Sequence, residues 1–544
     1  MGTECSEGMR RYATLGLLAA SALVLAACGG GGGEGSMQTG QSADTTDGKK
    51  GALALPAKTA VPRAVCGPND HPESGLQGQV PKFLRTKGGF NGFNCNLQLV
   101  GQSRGDGASW QHAFFQDSSG HRCSYYDTRF ATTRPKQGTV VIDVTDNTNP
   151  TPTAYLTTRP MLDPWESLKV NERRQILGAE DGRNGTGTAQ LDLYDISSDC
   201  RFPQLLSSVI TGTAANGDAA ALPPGQNLAG HEGGFSPDGL TWYSGDRGTI
   251  KKYTATDLSD ATHPKLMATW TLPQSPGATT TTHGLSISDD GMRAYVSQAF
   301  VGDASAGATA RNGVLVLDVS DFQNRVPNPQ FRQLGSVLWL DGGQIQHTIP
   351  ITVNGKRYVV AADEAGSAGN SNAGYQAACN AGLSPFPMAR IIDISDETNP
   401  FVVSKLALEI HSPNACSLVL PDLVGISSFT YGSHYCSVDN RQNATTLACG
   451  YFEAGIRVFD IRNPLAPREI AYYNPPSVTT ASAGSQNNSG SANGRPDHCT
   501  AQLRLDAVAG TLQTTCQDNG FLALKFTNGV WLFPTSSTPP GMQN

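Results

Sequence analysis

A short unit that recurs seven times limits this chain to very few folds. Each copy is a small or glycine residue, a run of alternating apolar residues, an aspartate, and then often Ser/Thr-Asp and Asn-Pro. It appears as Gly138-Thr-Val-Val-Ile-Asp143, ahead of Asn149-Pro150, and returns as Leu191-Asp-Leu-Tyr-Asp195 and, loosely, as Ile250-Lys-Lys-Tyr-Thr-Ala-Thr-Asp257. Clear copies follow at Val314-Leu-Val-Leu-Asp318, Arg390-Ile-Ile-Asp393 and Ile456-Arg-Val-Phe-Asp460; Phe521-Leu-Ala-Leu-Lys525 is a degenerate seventh without the aspartate. The two-residue alternation is that of a strand with one buried face. The aspartate and the Ser/Thr-Asp-Asn-Pro run turn the chain, because these side chains bond the local backbone and proline fixes φ. Another apolar strand follows each turn, as in Lys265 to Trp270. A hairpin precedes each copy, clearest at Ser286 to Ser297 with Asp289-Asp290-Gly291 as its turn. Four strands per repeat, seven times over, predict an all-β, seven-bladed β-propeller.

This unit resembles the LVIVD repeat, a propeller-forming family found in bacterial lipoproteins. The resemblance covers residues 95–533, which allots roughly 60 residues to each blade against ~40–45 in the WD40 type. The excess falls in polar loops. Asn96-Leu-Gln-Leu-Val-Gly101 is a strand with no hairpin before it. It reads as the outer strand of the last blade, with Val530-Trp-Leu-Phe533 competing for that place.

The N-terminus names a compartment. Arg10 and Arg11 precede an apolar run, Leu15 to Ala27, too short to span a bilayer, and the run ends in Leu25-Ala26-Ala27-Cys28. This is similar to a bacterial lipobox, in which the cysteine is lipidated. Residues 1–27 are therefore expected to be a lipoprotein signal peptide. Residues 28–65 would be the lipidated Cys28 with a Gly-rich, low-complexity tether. Residues 66–94 read as an N-terminal loop segment and 534–544 as a tail. The chain is expected to be exported and membrane-anchored, on the periplasmic face or the cell surface.

Cysteine usage agrees. Ten cysteines follow Cys28, an even number that suggests up to five disulfides in an exported protein. Cys436 with Cys449 and Cys499 with Cys516 flank hairpins and are expected to pair within blades. Acidic residues outnumber basic ones by 46 to 39, a balance that excludes a nucleic-acid binder.

Six of the ten histidines stand just before or at the first strand of a blade: His112, His231, His283, His347, His434 and His498. The remaining blade has Trp165-Glu166 there. Carboxylates recur where the second strand of each blade runs into a loop: Asp127, Glu180 with Asp181, Asp246, Asp303, Asp363 with Glu364, Glu453 and Asp518. In a propeller both positions lie on one face, so imidazoles and carboxylates are expected to converge at the channel mouth as a candidate site. A ring of neutral imidazoles suits copper or zinc, with carboxylates orienting the rings. The placement resembles, at the level of fold, the copper-binding propellers of the selenium-binding-protein and methanethiol-oxidase type. A structural role at the blade start is the competing reading. The repeated aspartates read as turn-fixing. No nucleophile elbow, Walker loop or dinucleotide fingerprint is present.

Three functions are compatible with this sequence. The first is a cell-envelope lipoprotein whose propeller binds a ligand, metal ion or protein partner on the channel-mouth face. The second is a copper- or zinc-dependent oxidoreductase built on the histidines. The third is a purely structural envelope partner. Sequence leaves open which ligand is bound and whether the chain is an enzyme.

Overall fold

The computed structural model describes residues 60–531, apart from 86–88, 129–135, 183–187, 189, 225, 227, 247–250, 274–279, 301–310, 424–428, 479–494 and 508. The signal peptide, Cys28, the tether to residue 59, Asp303 and the 534–544 tail lie outside the described residues.

Seven antiparallel four-stranded blades follow one another along the chain. Blade 1 is His112–Gln116, Arg122–Asp127, Thr139–Asp143 and Thr151–Leu156. Blade 2 is Lys169–Asn171, Ile176–Glu180, Gln190–Asp195 and Gln204–Ile210. Blade 3 is Gly230–Phe235, Thr241–Asp246, Lys252–Asp257 and Lys265–Thr271. Blade 4 is Leu285–Ile287, Arg293–Phe300, Asn312–Asp318 and Arg332–Trp339, with Thr280–Thr281 added beside its second strand. Blade 5 is Gly343–Val353, Lys356–Ala365, Ala389–Asp393 and Phe401–Lys405. Blade 6 is Ser433–Val438, Thr446–Tyr451, Gly455–Asp460 and Arg468–Asn474. Blade 7 is Arg504–Asp506, Thr511–Cys516, Gly520–Phe526 and Leu97–Ser103.

The outer strand of blade 7 thus comes from the N-terminal side. Leu97 pairs with Phe526 and Ser103 with Phe521. This closes the ring as the isolated Asn96–Gly101 strand predicts. The rival Val530 and Trp531 form no strand; Trp531 packs edge-on against Phe526. Phe93–Cys95, at the end of the expected loop segment, adds a fifth strand to blade 6.

What holds the ring is apolar burial between blades, since each sheet has two faces to cover. Every interface has its own cluster. Phe114 and Ile142 meet Phe521 and Ala523 between blades 1 and 7. Phe115 and Val141 meet Val170 and Leu177 between blades 1 and 2. Leu191 and Leu193 meet Trp242, and Tyr253 meets Val296 and Leu317. Val314 and Val316 meet Val359, Val360 and Ile391 meet Leu447 and Phe459, and Val458 meets Leu512 and Leu522.

The repeated aspartates act as turn clamps. The carboxylates of Asp143, Asp195, Asp257, Asp318 and Asp393 each accept the backbone N–H two residues on, at 2.8–2.9 Å, and Asp460 does so at 3.1 Å. This is the Asx geometry that the repeat requires.

Five disulfides form: Cys66–Cys95, Cys123–Cys200, Cys379–Cys416, Cys436–Cys449 and Cys499–Cys516. Cys436 and Cys449 stand opposite each other in one hairpin, as expected. Cys123–Cys200 instead staples blade 1 to blade 2. A set of this size accords with an oxidising compartment. Among the described residues no helix is long and apolar enough to cross a membrane.

Candidate functional site

Five side chains from five consecutive blades meet at the channel axis. Glu166 stands ahead of the first strand of blade 2. His231 belongs to blade 3, His283 precedes the first strand of blade 4, Glu364 is near the end of the second strand of blade 5, and His434 opens blade 6. All are buried. Glu166 Oε2 lies 3.0 Å from His231 Nε2 and 3.8 Å from His283 Nε2, and its Oε1 lies 3.2 Å from His434 Nε2. Glu364 Oε2 is 3.3 Å from His283 Nε2, and its Oε1 is 3.9 Å from His434 Nε2. The Nε2 atoms of His231 and His283 face each other at 3.1 Å.

The backbone sets these directions. His283 Nδ1–H donates to the Gln346 carbonyl at 2.9 Å, and His434 Nδ1–H donates to the Thr500 carbonyl at 2.9 Å. Each ring is therefore anchored to the next blade by one nitrogen, which leaves Nε2 for the centre, the arrangement typical of metal-ligating histidines. Gly284 makes the approach possible, because a Cβ there would overlap the Gln346 carbonyl and the Glu232 carboxylate.

Strand irregularity decides which histidines turn inward. The ladder of blade 3 shifts register between Gly230 and Glu232, so His231 sits in a bulge; blade 6 shifts between Ser433 and Cys436, so His434 does too. A bulge re-aims a side chain. His112 stays in register opposite Tyr126; in blade 5 the shift falls between Ile345 and His347, so Gln346 is the bulged residue and His347 is paired opposite Ala362, and neither histidine joins the cluster. His112 Nδ1 bonds the Gln502 carbonyl at 3.1 Å. His347 stacks on Tyr435 with its Nε2 3.2 Å from Cys436. His498 packs against Phe452, with its Nε2 4.0 Å from Glu453. Burial pushes His112 down to about 4, and His347 and His498 down to about 3, so all three are neutral imidazoles.

Of the carboxylates singled out in the sequence, Glu364 joins the cluster and the others that are described stand elsewhere. Glu180 accepts from Trp242 Nε1 at 2.8 Å and Ser244 Oγ at 2.5 Å, bracing blades 2 and 3, and burial raises it to about 7. Asp246 accepts from the backbone of Ala229 and Lys251. Asp363 pairs with Arg390 at 2.8 Å and Glu453 with Arg85. Asp518 donates its backbone N–H to Asp497, and Asp127 ends the second strand of blade 1. Glu364, the neighbour of Asp363, and Glu166, where the histidine series breaks, provide the converging carboxylates.

Two further groups lie next to the cluster. Glu232 Oε2 is 3.8 Å from His283 Nδ1, and its Oε1 is 3.9 Å from Lys169 Nζ. Burial lowers the Lys169 ammonium, with Glu232 and Glu166 opposing. Burial also works against charge on His283, but Glu232, Glu364 and Glu166 outweigh it and raise the ring to about 9. In Glu166 the surrounding imidazoles overcome burial and hold the carboxyl well below its usual range.

Donors at right angles about a metal ~2.1 Å away stand about 3.0 Å apart, and tetrahedral donors about 3.4 Å apart. The four shortest spacings, 3.0 to 3.3 Å, fall in the interval between these. Ligation requires the three imidazoles to be neutral, His283 giving up its proton, and the two carboxylates then carry two negative charges, the charge of one divalent ion.

Fold and cluster together define a seven-bladed β-propeller with a buried histidine–carboxylate centre on its axis. No protein-family model matches the chain, and no curated protein matches it by sequence. Among solved structures it is similar to the Pseudomonas aeruginosa periplasmic gluconolactonase PpgL, at 15% identity and a TM-score of 0.36, covering 55% of this chain and 70% of that one. It is also similar to Kuenenia stuttgartiensis hydrazine synthase, at 10% identity and a TM-score of 0.44, with 78% and 96% covered. The Myceliophteria thermophila Cps50 (Swd1) β-propeller domain gives 9% identity, a TM-score of 0.44 and coverage of 79% and 100%. The propeller assignment rests on the strand pairing itself.

Proposed function

We propose that the chain is an exported propeller lipoprotein of the LVIVD type, anchored through Cys28, that binds one divalent transition-metal ion between His231, His283, His434, Glu166 and Glu364. One observation carries this reading: two buried triads share Glu166, one with His231 and His283 and one with Glu364 and His434, and the Nδ1 atoms of His283 and His434 are already engaged by backbone carbonyls. Mixed nitrogen and oxygen donors suit first-row ions. Imidazoles with carboxylate oxygens accept copper(II) or zinc. Such an ion would supply redox or Lewis-acid chemistry at the channel mouth, on which the metal-dependent oxidoreductase reading depends. The chain's own residues would orient the rings, exclude water and balance charge.

Metal analysis of the purified protein tests this. One equivalent of copper or zinc, lost in His283→Ala and in His434→Ala but retained in His112→Ala, supports it. A protein that takes up no metal while His283→Ala is strongly destabilised supports a second reading, favoured by the high pKa of His283: a metal-free ionic clamp holding five blades together.

A further inference from the structure

The cluster is flanked by aromatic rings on two sides. Next to His434, Trp110 and Phe452 each stand 5.1 Å from the imidazole, and Phe429 lies 5.0 Å from Phe452 and 6.0 Å from Trp110. Next to His231, Trp165 stands at 5.7 Å. These four residues come from segments that lead into blades 1, 2 and 6 or follow the second strand of blade 6. All are on the face that carries the histidines.

Two of the four are unusual. Trp165 and Phe429 both have φ of 53°, in the left-handed region that bulky residues avoid, and both keep part of their surface exposed. A strained backbone persists only where the surroundings impose it, and such residues gather at ligand sites. Interior packing alone needs neither a partly exposed ring nor a positive φ. Both residues adjoin the centre: Trp165 directly precedes Glu166, and Phe429 packs on the pair of rings that holds His434.

We infer that Trp165, Phe429, Trp110 and Phe452 form the walls of a binding site for a small, uncharged, planar aromatic molecule beside the metal position. This rests on the metal reading for the charge of the cluster beside the site, and on the rings themselves for the contact. Charge selects the class. With a divalent ion the five-residue cluster is neutral, and the described cation beside it, Lys169, is already opposed by Glu232. Neither an anion nor a cation therefore gains from the site. Ring faces and edges set at tilted and perpendicular angles, as between Trp110 and Phe452 at 77°, are the surfaces that a further aromatic ring pairs with best.

The test uses phenol as probe, with cyclohexanol as the non-planar control of similar size, on the full-length protein loaded with copper(II). Phenol binding is read by calorimetry and by a change in the copper electron paramagnetic resonance spectrum. Trp165→Ala with Phe429→Ala is expected to weaken phenol at least ten-fold with copper content unchanged. Trp165→Leu with Phe429→Leu, which keeps apolar bulk and guards against misfolding, is expected to fall between. Cyclohexanol is expected to bind at least ten-fold more weakly than phenol. Equal phenol affinity in the parent and both double variants, or equal affinity for the two probes, overturns the inference. If the protein takes up no copper but calorimetry still shows the ring-dependent loss, the metal reading fails and the aromatic site stands.

Discussion

The three carboxylates around the histidines differ in how many imidazoles they reach, and this orders the effect of neutralising each. Glu166 reaches three rings, at 3.0, 3.2 and 3.8 Å. Glu364 reaches two, at 3.3 and 3.9 Å. Glu232 faces one ring, at 3.8 Å from an Nδ1 that the Gln346 carbonyl already holds. A Glu→Gln change keeps shape and removes one negative charge from the site proposed to pair two carboxylates with one divalent ion. Removing one member of a buried charge set costs about 3–5 kcal/mol. At 1.4 kcal/mol per factor of ten, this is about two to three and a half orders of magnitude in metal affinity for Glu166→Gln. Glu364→Gln, with fewer and longer approaches, should lose less. Glu232→Gln, acting only through ring orientation, should lose about ten-fold. Competition against a coloured chelator at neutral pH measures all three, with circular dichroism to check folding. If Glu232→Gln costs as much as Glu166→Gln, or Glu166→Gln costs nothing, the assignment of Glu166 as the shared central ligand is wrong.

Other expectations follow from the fold. Burial raises Glu180 in the folded state to about 7, above its unfolded value. Its contribution to stability is therefore full below pH 4.5 and lost as pH rises from there through 7, by about 3 kcal/mol; denaturant titrations should show Glu180→Gln flattening this decline. Cys123–Cys200 encloses 77 residues and Cys436–Cys449 encloses 13. The chain-entropy model assigns them about 4.5 and 2.9 kcal/mol, so paired Cys→Ser variants should lose denaturation midpoint in that order. Leu97 is fully buried between blades 6 and 7 in the closing strand. Leu97→Ala should cost about 2–5 kcal/mol, with a matching drop in the midpoint of thermal unfolding.

Much of the fold was legible because a propeller writes its period into the chain. The Asp-Ser and Asp-Thr turns mark the third strand of each blade, and the unpaired Asn96–Gly101 strand marks the closure. The site was legible only to the level of the face. Six histidines share one place in the repeat, yet three converge: His231 and His434 are themselves left unpaired by a bulge, whereas His112 has none and in blade 5 the bulge falls one residue earlier, on Gln346, leaving His347 paired. Composition and alternation do not encode such a bulge. Glu166 was visible as the break in the histidine series, and Glu364 as the neighbour of Asp363. The aromatic residues Trp110, Phe429 and Phe452 left no pattern, since they stand in loops where spacing has no period.

The N-terminal segment is sewn to the ring before it enters the sheets. Val61 N–H bonds the Ala407 carbonyl, Arg63 pairs with Glu409, and Cys66 is bonded to Cys95, two residues ahead of the strand that completes blade 7. A pull on the chain from its N-terminal side would therefore load blades 5 and 6 and the covalent sulfur link first. The seam of the ring would be spared from peeling strand by strand, so the molecule can hang from one end without its circle being drawn open.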